Sequence, residues 1–176
     1  MSFSIPLTSG AAMLRSAPMS IRCLTAMAMT LLVILLAGCA DEAQRNEDVR
    51  PEVETLINAY LPALGQFYET GDTSLVEGLA AEKEVFTVEQ RIRKLAEAGR
   101  RVRATPKQVS IERIDVYQYS NAYVTTFELW DLEVIAIGSE RQISQVIDQP
   151  NQVRYQLKRS DGRWKILFRE LVKTEE

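Results

Sequence analysis

Tyr155-Gln156-Leu157-Lys158-Arg159-Ser160-Asp161-Gly162-Arg163-Trp164-Lys165-Ile166 is the stretch on which the fold turns. Val153, Tyr155 and Leu157 alternate with polar residues, the period of a strand with one buried face. Ser160-Asp161-Gly162 supplies residues suited to a tight reversal. Arg163 to Leu171 then resumes the alternation, with Trp164, Ile166 and Phe168 expected on the inward side. The reading is an antiparallel hairpin. Upstream, Gln149-Pro150-Asn151 is expected to be a turn after a strand at Gln142 to Ile147, and Gly138-Ser139 closes a long strand from Ala122 to Ile137. Ser120-Asn121 separates that strand from another at Val109 to Val116.

Further upstream the period changes. Val49, Val53, Leu56, Ile57, Tyr60, Leu61, Leu64, Phe67 and Tyr68 recur at three- and four-residue spacing, the stripe of an amphipathic helix. Pro51 suits a first turn, Pro62 is expected to kink the helix, and Gly71 to end it. A second short helix is expected from Thr73 to about Ala81, with Leu75, Val76 and Leu79 inward. A third is expected from Thr87, where Thr87-Val88-Glu89-Gln90 has the form of a capping box, to Gly99. Helices first and hairpin-linked strands second make an α+β domain: N-terminal helices packed on a curved antiparallel sheet.

The aromatic-rich helix end Phe67-Tyr68-Glu69-Thr70-Gly71-Asp72, the short helices after it and the Asp-Gly hairpin leading into Trp164-Lys165-Ile166 resemble the nuclear transport factor 2-like superfamily. The helix turn and the hairpin are also similar to the domain shared by plastid-division and mitochondrial import-associated proteins. The resemblance covers Val49 to Leu171 and implies a cone of helices on a curved sheet. The superfamily holds isomerases and dehydratases beside many binding, scaffold and oligomerisation domains, and many relatives pair through the sheet. The fold therefore leaves function open.

At the other end, an apolar run without charge follows Arg15 and Arg22 and stops at Leu36-Ala37-Gly38-Cys39. Its ending resembles the lipobox of bacterial lipoproteins, which implies cleavage between Gly38 and Cys39 and acylation of the Cys39 sulfur. Residues 1–38 read as a signal peptide whose true start could be Met19, and residues 39–48 as a lipidated tether. Residues 49–172 are the domain and 173–176 a tail. An uncleaved spanning helix is the rival reading of the apolar run. The resemblance places the domain in the periplasm, on the outer membrane if the organism has one.

All 24 acidic residues follow the apolar run, while two of the 21 basic ones precede it, so the domain is more acidic than the whole chain's net charge of −3. That argues against nucleic acid as a partner. The chain has no histidine and two cysteines, Cys23 and Cys39. No triad, histidine switch or histidine or cysteine metal centre can be built in the domain, and no cofactor is called for.

Three sets of residues remain as candidates. Tyr60, Phe67, Phe86, Tyr123, Phe127 and Trp130 could line a cone cavity for an apolar ligand or simply fill the core. Asp131 could be a pocket carboxylate beside Trp130, or an outward-facing acid, since both faces of its strand are mixed. Arg91, Arg93, Lys94, Arg100, Arg101 and Arg103, with Lys107 and Arg113, form a basic segment that could meet an anionic surface or remain a solvated face. The function expected is a non-catalytic binding or assembly module held at the envelope membrane, with an unidentified envelope protein or small apolar ligand as partner. The alternatives are an isomerase- or hydrolase-type enzyme with a carboxylate base in the cone, and a homodimeric scaffold.

Overall fold

The computed structural model describes the backbone of residues 21–172 and the side chains of residues 44–172. The chain divides into two units, 1–40 and 41–176. Gly38 and Cys39 lie in the first, where no side chain is described, so the cleavage and lipidation expectations fall outside the described residues. Among residues with described side chains, no helix is long and apolar enough to cross a membrane.

Helix α1 (Ile21–Thr70) runs through residues 39–48, read above as a tether, and carries both Pro51 and Pro62 inside it. The polar stretch is tied to the domain: Asn46 Oδ1 accepts from the Val116 amide at 2.9 Å and the Arg45 guanidinium lies 5.2 Å from the Tyr119 ring centroid. The expected stripe is the buried one, with Val53, Leu56, Ile57, Tyr60, Leu61, Leu64 and Phe67 all in the core. Gly65 has a separate task, because a Cβ there would meet the Ala104 carbonyl oxygen at 2.2 Å. Its missing side chain lets a strand cross hard against the helix.

The second helix is not one. Thr73–Leu75 is a single 3-10 turn capped by Asp72, and the chain reverses at Gly78, whose φ of +82° no continuing helix permits. Val76 and Ala80 reach the core, while Leu75 stays partly exposed. Helix α2 (Glu82–Glu97) begins five residues before the expected cap, with Ala81 at its N-cap. Thr87 is interior, its hydroxyl donating back to the Lys83 carbonyl at 2.8 Å. Acids at Glu82 and Glu84 favour the earlier start, because the helix N-terminus attracts negative charge.

The strands β1 (Arg100–Tyr117), β2 (Asn121–Ala136), β3 (Gln142–Ser160) and β4 (Arg163–Leu171) form an antiparallel meander in that order. The Asp161-Gly162 reversal holds as expected, both residues at positive φ (53° and 75°), the backbone of a two-residue hairpin turn. The expected turn at Gln149-Pro150-Asn151 is instead part of one continuous strand. The extra residues Ile147 and Asp148 bulge opposite Asp131, and Pro150 pairs with Leu129. On the N-terminal side of Val153, β3 has no paired β4 residue, and an edge tolerates proline.

Bulges decide which face each side chain takes. Ala122, Val124, Thr126, Glu128 and Trp130 of β2 face inward and are buried. Near the end of β4, Leu167 is an extra residue between the Phe168–Gln156 and Ile166–Leu157 pairs. That bulge reverses the alternation: Trp164 and Ile166 are buried as expected, but Phe168 turns outward beneath the Lys83 ammonium and Arg169 turns inward.

Candidate functional site

Between the helices and the sheet lies a cavity of about 260 Å³. Its apolar wall comes from Leu64 of α1, Val102 and Ala104 of β1, Trp130 and Leu132 of β2, and Leu171 of β4. Gly65 is what lets Ala104, one of these wall residues, approach the helix. Tyr68, Arg91, Glu128 and Arg169 supply polar groups.

Beneath the cavity runs a buried polar cluster. Glu128 is 0 % exposed and its carboxylate accepts three hydrogen bonds: from Tyr155 Oη at 2.6 Å and Thr126 Oγ1 at 2.8 Å on Oε1, and from Trp130 Nε1 at 2.8 Å on Oε2. Alternation of β2 places Thr126, Glu128 and Trp130 in line on one face, so the acid is bound by its own strand neighbours and by β3 across from it. A buried charge is tolerated when saturated in this way.

The second acid, Glu84 on α2, is 1 % exposed. Tyr60 Oη donates to its Oε1 at 2.9 Å and the Arg169 amide to its Oε2 at 3.2 Å. Burial raises its pKa, against the opposing pull of Arg169 and Tyr60. Burial likewise raises the phenols of Tyr60 and Tyr155, whose rings meet edge to face at 6.4 Å. Both stay protonated and act as donors.

Arg169 Nε lies 3.4 Å from Glu84 Oε1, an ion-pair contact, yet this nitrogen is buried without a hydrogen-bond acceptor among the described residues. Nη2 donates to Tyr68 Oη at a long 3.4 Å. Burial opposes the guanidinium charge, yet its pKa is raised, the Glu84 carboxylate alongside favouring the charged form. It is a cation with donors to spare.

Of the seven candidate pocket residues, only Trp130 lines this cavity. Tyr60 and Phe67 are core beneath it. The other four lie elsewhere: Phe86 is 60 % exposed on α2, and Tyr123, Phe127 and Asp131 take the outer face of β2. Asp131 accepts from the Asp148 amide at 3.0 Å and pairs with Lys107 at 3.4 Å, contacts that lower its pKa, where a pocket base would need it raised.

In the basic segment, Arg103 bridges Glu69 and Glu133, both at 2.8 Å. Arg101 pairs with Glu140 and Arg113 with Asp115. Much of its charge is therefore answered within the protein. Sequence reading missed Glu84, Glu128 and Arg169. A signal for Glu128 existed, since it shares a parity with Val124 and Trp130, but Arg169 could not be found while the Leu167 bulge was unknown.

The family model of the ARC6-like, IMS domain matches residues 62–167, and the chain belongs to that family. Among solved structures, the intermembrane space region of chloroplast protein ARC6 is similar at 13 % identity, covering 69 % of this chain and 95 % of that one, with a TM-score of 0.60. A protein of unknown function from Mycobacterium tuberculosis is 16 % identical over 74 % of each chain, with a TM-score of 0.47. An uncharacterised Caulobacter vibrioides protein with a cystatin-like fold is 10 % identical, over 72 % of this chain and 91 % of that one, with a TM-score of 0.44. Among curated proteins there is no match. The likeness to the ARC6 region speaks to the fold, and the α+β arrangement of helices on an antiparallel sheet is as the sequence analysis expected.

Proposed function

We propose that this member of the ARC6-like, IMS domain family is a non-catalytic binding module of the cell envelope, anchored through lipid on Cys39 and receiving a small ligand in the mouth of its cone. The observation that carries the reading is the cavity of about 260 Å³, a water-accessible space with an apolar wall and a few converging polar groups. The similarity to an intermembrane-space region supports an envelope-facing domain. Glu128, the acid within reach, is engaged by three donors from its own scaffold, so it reads as a structural hub. With no histidine in the chain, the cavity contains neither a nucleophile with a partner base nor a metal-binding cluster among the described residues.

A stabilisation screen of the full chain in lipid nanodiscs tests this. A ligand at a hundred times its Kd adds about 2.7 kcal/mol to stability and raises Tm. Compounds that raise Tm in the native protein are expected to fail in Leu132→Trp, which fills the cavity. Equal effects in both proteins would refute the pocket. The anchor is tested separately: Cys39→Ser is expected to leave the membrane fraction, and unchanged partitioning would refute it.

The enzyme reading rests on the same Glu128, a carboxylate in a concave site. It requires Glu128→Gln, which preserves shape, to abolish turnover of any substrate found.

A further inference from the structure

Arg169 and Glu128 have opposite hydrogen-bond balances, and the imbalance specifies a ligand. Glu128 is served by three donors. The guanidinium of Arg169 carries five N–H donors, and a single long hydrogen bond, to Tyr68, uses one of them among the described residues. Its Nε is buried without an acceptor, although its side chain is only 14 % exposed. Unsatisfied donors of a buried cation are costly, and native structures rarely leave them so. Glu84 answers the Arg169 charge from one side only, at 3.4 Å, and the carboxylate of Glu128 in the cavity wall is already taken by its three donors. A second cation, Arg91, stands at the rim on α2 and makes no hydrogen bond or ion pair among the described residues, although its charge is felt at Glu84. The rim acid Glu170 is paired with Arg154 at 3.5 Å.

We infer that the cavity takes a small carboxylic acid with an apolar body: the carboxylate on Arg169 and within reach of Arg91, and the body against Leu64, Val102, Trp130 and Leu132. The planar fork of a guanidinium matches a carboxylate in two parallel hydrogen bonds. A space of about 260 Å³ is at the lower edge of ligand pockets, which limits the body to a short chain or a single ring. This rests on the binding role proposed above and adds the charge and size class of its ligand.

The test uses the full chain in nanodiscs and four probes: hydrocinnamate, hexanoate, and the neutral amide of each. Calorimetry is expected to show each acid binding at least about tenfold more tightly than its amide, the scale of one charge-assisted hydrogen bond. Arg91→Ala, a surface change that leaves the core intact, is expected to weaken the acids several-fold and leave the amides unaffected. Arg169→Lys keeps the charge but loses the fork, and is expected to cost the acids about tenfold. Equal binding of acid and amide overturns this inference while leaving the pocket reading standing. Binding of neither, together with identical stabilisation profiles for the native protein and Leu132→Trp, overturns both.

Discussion

Glu128 and Asp131 lie three residues apart on β2 and live in different chemical worlds. Glu128 faces the helices, 0 % exposed, with every partner a neutral donor from the scaffold. Asp131 faces out through the other side of the sheet, beside Lys107 and the Asp148 amide. The concave face concentrates buried charge in Glu84, Glu128 and Arg169, and the outer face spreads solvated pairs such as Arg113–Asp115 and Arg154–Glu170. A carboxylate's role here is set by strand parity rather than by its neighbours in sequence. The same chemical group is a structural hub on one side and a solvated surface charge on the other, because desolvation multiplies the consequence of each contact.

The largest test of this contrast is Glu84→Ala. Removing one partner of the buried pair leaves Arg169 charged and uncompensated, so urea denaturation is expected to show a loss of about 3–5 kcal/mol. A loss no larger than that of a surface pair would mean the concave face is wetter than its burial indicates. Tyr155→Phe comes next. It removes the 2.6 Å hydrogen bond to Glu128 while leaving two donors, and is expected to cost about 1–3 kcal/mol by the same measurement.

Asp131→Asn is the smallest, with no resolvable change in the unfolding midpoint at neutral pH. Its trace should appear only in the pH dependence. The Asp131 pKa is lowered in the fold, so its contribution is present above the unfolded value and lost as pH falls through the folded one. Glu84 has the opposite sign: its folded pKa is raised above the ordinary 4.5, the native state binds the extra proton, and its share of stability grows as pH falls towards that value. Thermal melts across the acid range are expected to lose the Asp131 slope in Asp131→Asn and keep that of Glu84.

Much of the fold was legible in the residues. The α1 stripe from Val53 to Phe67 is buried as periodicity predicts, and the Asp161-Gly162 turn forms where its left-handed residues permit it. Errors gathered where local signals competed with tertiary ones. Thr87 carries a capping-box pattern, yet α2 starts at Glu82 and makes Thr87 interior. Pro150 looks like a turn but lies in an edge segment where its missing donor is tolerated. The site suffered most, because Asp131 and the aromatic residues Phe86, Tyr123 and Phe127 were grouped with the cavity that only Trp130 among them lines.

The order of elements, the hairpin, the helical stripe and the exclusion of histidine and thiol chemistry from the domain were determined by the sequence alone, since each follows from residue type and local spacing. Which face of β2 is buried, where Gly65 lets β1 approach, and that Arg169 rather than Phe168 points into the cone were decided only in three dimensions. A single extra residue at Leu167 inverts the alternation that follows it. A bulge is a property of two paired strands, and neither strand's sequence carries the register of the other.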